Sequence, residues 1–153
     1  IGPLQSNKTR AVAEHFDWVH SVDRLKIAKR LSEQRPTQLA PLNICLQVNI
    51  SREESKAGVL PEDLEELAKE VATLPNLHLR GLMAIPAPAE GVEAQRQPLA
   101  ALREALTSLQ SRLPDVPLDT LSMGMSDDLE AAIMEGATLV RLGTAIFGAR
   151  HMA

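Results

Sequence analysis

Short apolar runs alternate with amphipathic stretches along most of this chain. Residues 18–22 (Trp-Val-His-Ser-Val) predict a strand that ends at Asp23. Leu25, Ala28 and Leu31 then mark one face of a helix, with Lys26, Lys29 and Arg30 solvated and Arg35-Pro36 as the break. Residues 43–50 (Asn-Ile-Cys-Leu-Gln-Val-Asn-Ile) predict a second strand, bounded by Pro41 and Ser51. Pro61 suits a first helical turn, where Glu62 and Asp63 complement the dipole, and Leu64, Leu67, Ala68 and Val71 form the buried stripe. Pro75-Asn76 ends that helix. Residues 77–85 form the next strand, stopped by Pro86 and Pro88. Leu99, Leu102, Leu106, Leu109 and Leu113 recur at three- and four-residue steps, a long helix with Pro98 in its first turn. Residues 120–123 predict a strand. Ser126 is expected to cap a short helix with Leu129 and Ile133 inward and Gly136 as its stop, and residues 138–142 to form the last strand.

Five strands separated by four helices, with crossover-length connections, imply parallel pairing. Near-continuous apolar strands agree, because parallel sheets are covered on both faces. The α/β fold is then a doubly wound sheet or a (β/α) barrel. No Gly-x-Gly-x-x-Gly turn follows a strand, which disfavours the dinucleotide-binding version of the former. A full barrel takes about 250 residues and eight strands. The expectation is a single domain over residues 1–153, a partial (β/α)8 TIM-like barrel lacking its first strands. Residues 1–4 would end a preceding strand, and the sheet should be open with an exposed parallel edge at its start. No internal repeat beyond this alternation and no low-complexity linker points to a second domain.

Composition removes several function classes. A hydrophobic fraction of 44% and a charged fraction of 24% are those of a soluble globular protein. A net charge of −4 with 2% aromatics argues against nucleic-acid binding, which uses basic faces and stacking platforms. The single Cys45 sits in an apolar run, so no internal disulfide or cysteine zinc cage is available. His15, His20, His78 and His151 are too scattered for a metal site. The most apolar long stretch, residues 131–149, contains Glu135, Arg141 and several glycines and does not read as a membrane span. No signal peptide is visible, and no Gly-x-Ser-x-Gly elbow supports a hydrolase triad.

The candidate chemistry lies in two segments. Leu121-Ser122-Met123-Gly124-Met125-Ser126-Asp127-Asp128 and Leu139-Val140-Arg141-Leu142-Gly143-Thr144-Ala145-Ile146-Phe147-Gly148 each run from an apolar strand into a turn bearing glycine and hydroxyl groups. In barrels the loops after the last two strands commonly hold a phosphate. Gly124, Gly143 and Gly148 permit close backbone approach, and Ser122 and Thr144 add hydroxyl donors. Asp127 and Asp128 would repel an anion on the helix they begin, which places it nearer Ser122 and the Gly143-Thr144 amides. The same residues also read as ordinary turn glycines and a helix cap. Arg141, in an apolar strand, needs an acceptor: a carboxylate such as Glu135 or Asp119, or a ligand. Lys56, in the 49–58 loop leaving the second predicted strand, could approach an anionic or aldehyde ligand, or be a solvated loop lysine. Met83 reads as core, and Gln5-Ser6-Asn7-Lys8 proves nothing alone.

Taken together, Ile1-Gly2-Pro3-Leu4-Gln5-Ser6-Asn7-Lys8, Asn49-Ile50-Ser51 with Ser55-Lys56-x-Gly58, Arg80-Gly81-Leu82-Met83 and the two segments above resemble the YggS/PROSC family of pyridoxal-phosphate homeostasis proteins. The resemblance covers nearly the whole chain. It implies a PLP-binding barrel like the N-terminal domain of alanine racemase, with pyridoxal 5′-phosphate (PLP) as cofactor. Ser122, Gly143 and Thr144 would hold the phosphate, and Arg141 would face the pyridine nitrogen, which disfavours ring protonation and weakens the cofactor as an electron sink. Lys56 and Met83 would line the site. The Schiff-base lysine of the family lies on the first barrel strand, upstream of Ile1 and outside these 153 residues. The implied role is a cytoplasmic, monomeric PLP carrier or buffer, not an enzyme, with PLP-dependent apo-enzymes as recipients. The alternatives are the barrel portion of a PLP-dependent amino-acid racemase or decarboxylase, or a barrel for another phosphorylated metabolite. A racemase of this fold draws a second base from an additional C-terminal β-domain.

Overall fold

Apolar residues at alternate strand positions build one buried face of the sheet. The computed structural model describes residues 1–54 and 56–150; Ser55 of the loop motif and His151 lie outside them. β1 (Trp18–Val22), β2 (Leu42–Gln47), β3 (Leu77–Met83) and β4 (Thr120–Ser122) form a four-stranded sheet in the order β1-β2-β3-β4. Every pairing is parallel, as the connection lengths require. The crossovers carry α2 (Leu25–Gln34), α3 (Leu64–Ala72, entered through a 3-10 turn at Pro61–Asp63) and α4 (Val92–Arg112). Val19, Leu42, Ile44, Leu46, Leu82 and Leu121 join Ile27 and Leu31 of α2, Leu64 and Ala68 of α3, and Leu99, Leu102 and Leu106 of α4 in one apolar cluster. The sheet is open, and β1 is an edge strand.

The opposite face is polar and equally buried. Register places Gln47 beside Met83 and Met83 beside Ser122, so these three side chains form one row across three strands. From β1, His20 Nδ1 lies 2.7 Å from Ser122 Oγ. In a flat sheet β1 and β4 stand about 14 Å apart, three strand spacings. Their side chains meet only because the sheet curls tightly, with this row on its concave side, as in a partial (β/α) barrel. At the N-terminal end of the strands Arg80 closes the interior. It pairs with Asp119, donates to Asn43 Oδ1 at 3.1 Å and lies 4.7 Å from the centroid of the Trp18 ring.

Cys45 lies on the same concave side as Gln47, two residues on. Burial pushes its thiol up to about 12, with Asp119 adding to this and Arg80 and Arg141 opposing it. The thiolate is the reactive form. A thiol reagent at pH 8 is therefore expected to leave Cys45 unmodified in the native protein and to label it fully in denaturant. Labelling of native protein at the rate of a free thiol would show that the interior is open.

Several expectations are corrected. The helix α1 (Thr9–His15), entered through a 3-10 turn at Ser6–Lys8, was not foreseen; it buries only Thr9 and Ala13, too few apolar positions for a visible stripe. Residues 1–5 form no strand. The fifth strand shrinks to one bridge, Ser122 with Leu139. There the Thr138 hydroxyl accepts the Leu121 N–H at 2.8 Å, so a side chain stands where a ladder carbonyl would. Pro98 sits inside α4, well past the first turn, because the helix starts at Val92. The Ala94 carbonyl that it leaves unpaired is on an exposed residue, where water serves it. In α5 (Leu129–Met134) the buried residues are Ala131 and Ala132, while Ile133 is 61% exposed. A Cβ added at Gly124 would meet Ala132 Cβ at 2.5 Å, so the turn approaches too closely for a large residue. Ser126 does not cap α5: its Oγ accepts the Ala145 N–H, and Asp128 accepts the Met125 N–H. Gly136 does stop the helix, at φ 92°. No described helix is long and apolar enough to cross a membrane.

Candidate functional site

The strands run toward a cleft of about 840 Å³ at their C-terminal ends, a size suited to a small cofactor. Its walls include Lys56 from the loop after β2, Ile85 to Ala89 after β3, Met125 to Asp128 after β4, and Gly143 and Thr144. Active sites of parallel barrels sit at this end.

Lys56 reaches the cleft from a loop fixed at both ends. Asn49 clasps Glu53 twice, accepting its N–H at 3.0 Å and donating to its carbonyl at 2.8 Å. Asp23, at the end of β1, accepts the Gly58 N–H at 3.0 Å. Gly58 has φ 123°, and a Cβ there would stand 2.5 Å from the Asn49 nitrogen, so only glycine closes this loop.

Gly143 and Thr144 start α6 (Thr144–Phe147). Their N–H groups face no partner among the described residues, as expected of a first helical turn. The next amide, Ala145 N–H, is taken by Ser126 Oγ at 2.9 Å, which ties the two glycine-bearing turns together.

Arg141 lies between this cleft and the concave row of side chains. Its backbone N–H donates to Gly124 O, and its Nη2 donates to Ala84 O at 2.7 Å, reaching past β4 to the end of β3. Neither proposed carboxylate partner is engaged with it. Glu135 accepts from Arg96 and Arg103 and fastens α5 to α4, while Asp119 is held by Arg80. Arg141 Nε is buried without an acceptor among the described residues. Burial holds the guanidinium below the usual arginine range, with Asp128 and Cys45 pulling the other way.

The expected site residues thus fall into two sets. Lys56, Gly143 and Thr144 line the cleft; Met83 and Ser122 are fully buried in the concave row beneath. Arg141 connects them. His20 and Gln47, buried beside Ser122 and Met83, were missed; a polar residue inside an apolar strand run was their only signal in the sequence. Burial lowers the His20 pKa first, helped by the positive charge of Arg141, which favours the neutral ring. No group of three or more possible metal-ligating side chains occurs among the described residues.

A curled parallel sheet with a cleft at its C-terminal end defines a partial (β/α) barrel. Residues 1–151 match the family model of the alanine racemase N-terminal domain, and the chain belongs to that family. It is 68% identical over 98% of its length to the pyridoxal phosphate homeostasis protein of Pseudomonas aeruginosa, and spans 63% of that relative. The structure of Synechococcus elongatus PipY with PLP bound superposes with a TM-score of 0.87 at 38% identity, covering 97% of this chain and 68% of PipY. Alanine racemase of Clostridium difficile, at 16% identity and a TM-score of 0.67 over 98% of this chain and 39% of its own, shares the fold.

Proposed function

We propose that this chain binds pyridoxal 5′-phosphate at the C-terminal end of its sheet and serves in cytoplasmic PLP homeostasis as a monomeric carrier, without catalytic turnover. The observation that carries this reading is Arg141, a half-buried cation whose buried Nε has no acceptor among the described residues, followed two and three residues on by amides that also have no partner there. A phosphorylated pyridine supplies what this donor set lacks: an anion for the amides and hydroxyls, and a ring nitrogen for the guanidinium. Gly143 and Thr144 would hold the phosphate, Arg141 the ring nitrogen, and Lys56 would line the site; Ser122 and Met83, fully buried in the row beneath, would join them only where that row opens to the cleft. The name of the Pseudomonas relative and the PLP in PipY support the same ligand.

Bound PLP supplies an electron sink when its ring nitrogen is protonated. An arginine at that nitrogen withholds the proton, which suits storage and release to PLP-dependent apo-enzymes better than turnover. The test is a PLP titration of the intact protein, followed by absorbance and coupled to assays for amino-acid racemisation and decarboxylation. Saturable binding without turnover is expected. Thr144→Ala should weaken binding several-fold, since it removes one donor to a dianion. Wild-type affinity in that variant would remove Thr144 from the phosphate site, and amino-acid turnover would overturn the carrier role.

A further inference from the structure

All of residues 85–89 line the cleft, and they form neither helix nor strand. Pro86 and Pro88 have no N–H to give, and among the described residues the segment makes no backbone–backbone hydrogen bond. Two side chains hold it. Ser51, in the turn after β2, accepts the Ala87 N–H on its Oγ at 2.9 Å. Gln95, at the start of α4, donates from Nε2 to the Ala89 carbonyl at 3.1 Å. The same Nε2 donates to the Asp127 carbonyl at 3.2 Å, in the turn after β4. A side-chain amide nitrogen has two protons, and here each serves a different wall of the cleft. Both acceptors are carbonyls, so the orientation of this amide is fixed: turned over, its oxygen would face two oxygens.

We propose that Ser51 and Gln95 are positioning residues for the cofactor: they hold residues 85–89 as a preformed wall that an entering ligand finds in place. The proposal rests on the reading of this cleft as the PLP site. Without either bond the segment gains conformational freedom that a bound ligand must then remove, and that cost appears as lost affinity. Gln95 also reaches toward the phosphate end of the cleft. Asp127 follows Ser126, whose Oγ takes the Ala145 N–H next to the Gly143 and Thr144 amides. One amide thus ties the proline-bearing wall to the turn that steadies the proposed phosphate donors. Ser51 holds the same wall from the other side. It is not among the described residues that line the cleft, so an effect of its removal on PLP is indirect. The serine of the Asn49-Ile50-Ser51 motif thereby acquires a task that needs no ligand contact.

Two measurements on the intact protein test this. In PLP-free protein, hydrogen exchange of the Ala87 amide should be slow in wild type and fast in Ser51→Ala. Exchange at the rate of a free peptide in wild type would overturn the proposal with no reference to PLP. In PLP titrations, Ser51→Ala and Gln95→Met are each expected to raise the dissociation constant about two- to tenfold, the net worth of one hydrogen bond between uncharged groups. The PLP-free variants should melt within a few degrees of wild type. Ser51→Thr keeps the hydroxyl acceptor and should bind as wild type does. A loss in Ser51→Thr equal to that in Ser51→Ala would assign the effect to packing, not to this bond, and overturn the proposal. Loss of affinity that only follows unfolding at the titration temperature would make both residues scaffold and overturn it too. If either Ser51→Ala or Gln95→Met binds as tightly as wild type while Thr144→Ala does not, the proposal is wrong and the PLP site stands. If wild type binds no PLP at all, the cofactor reading itself fails and the proposal falls with it.

Discussion

Gly81→Ala is expected to lose about 3 kcal/mol or more of stability, and with it PLP binding. Gly81 lies in β3 between Cys45 of β2 and Thr120 of β4. The register skips at this point: Ile44 faces Leu79, but Cys45 faces Gly81, so Arg80 is an extra residue on β3. That bulge turns Arg80 toward Asp119, Asn43 and Trp18 and presses the Gly81 backbone against β4. A Cβ on Gly81 would collide with the Thr120 carbonyl, and that atom is backbone in a paired strand, unable to swing aside. Space, not backbone conformation, demands glycine here. The same register sets Met83 beside Ser122, so a strand displaced at Gly81 also dismantles the row below the cleft. Urea unfolding followed by circular dichroism measures the loss. A midpoint unchanged in Gly81→Ala would mean that β3 and β4 do not approach as described.

The pattern of apolar positions reveals the parts of this fold that are repetitive. Leu25, Ala28 and Leu31, and Leu99 through Leu109, mark helices because each buries the same face turn after turn. β1 was legible to the residue, and β2 and β3 to within three residues at their ends, where the pattern continues past the hydrogen-bonded ladder into Asn49 and Ile85. What the pattern hides is contact made by small or single residues. Ala132, not Ile133, is buried because a close approach at Gly124 favours the smaller residue. The 138–142 segment is as apolar as a strand but is diverted by one threonine hydroxyl. His20 is invisible because its partner is supplied by curvature of the sheet, which no local spacing encodes. The glycine-bearing turns were legible as a place for an anion. The separation into a cleft set and a buried set, with Arg141 connecting them, required the fold.

Arg141→Leu separates the two roles open to this arginine. Were it a structural ion pair, its removal would strand a carboxylate and destabilise the protein. Yet Glu135 and Asp119 have other partners, and among the described residues the only side-chain bond lost is the one to the Ala84 carbonyl. Against that loss stands the relief of a half-buried cation whose Nε is unsatisfied among the described residues, a desolvation cost of the kind that apolar replacement removes. The PLP-free variant is therefore expected to melt within a few degrees of wild type, or higher. Its PLP dissociation constant should rise about 10- to 150-fold, the equivalent of one hydrogen bond to a charged group at about 1.5–3 kcal/mol. The absorbance of the PLP that still binds should move, because the ring nitrogen has lost its neighbouring charge. Thermal melts with and without PLP, beside a titration, measure both effects. A large drop in melting temperature with unchanged affinity would make Arg141 a scaffold residue; unchanged stability with lost affinity is what a cation held in reserve for a ligand produces.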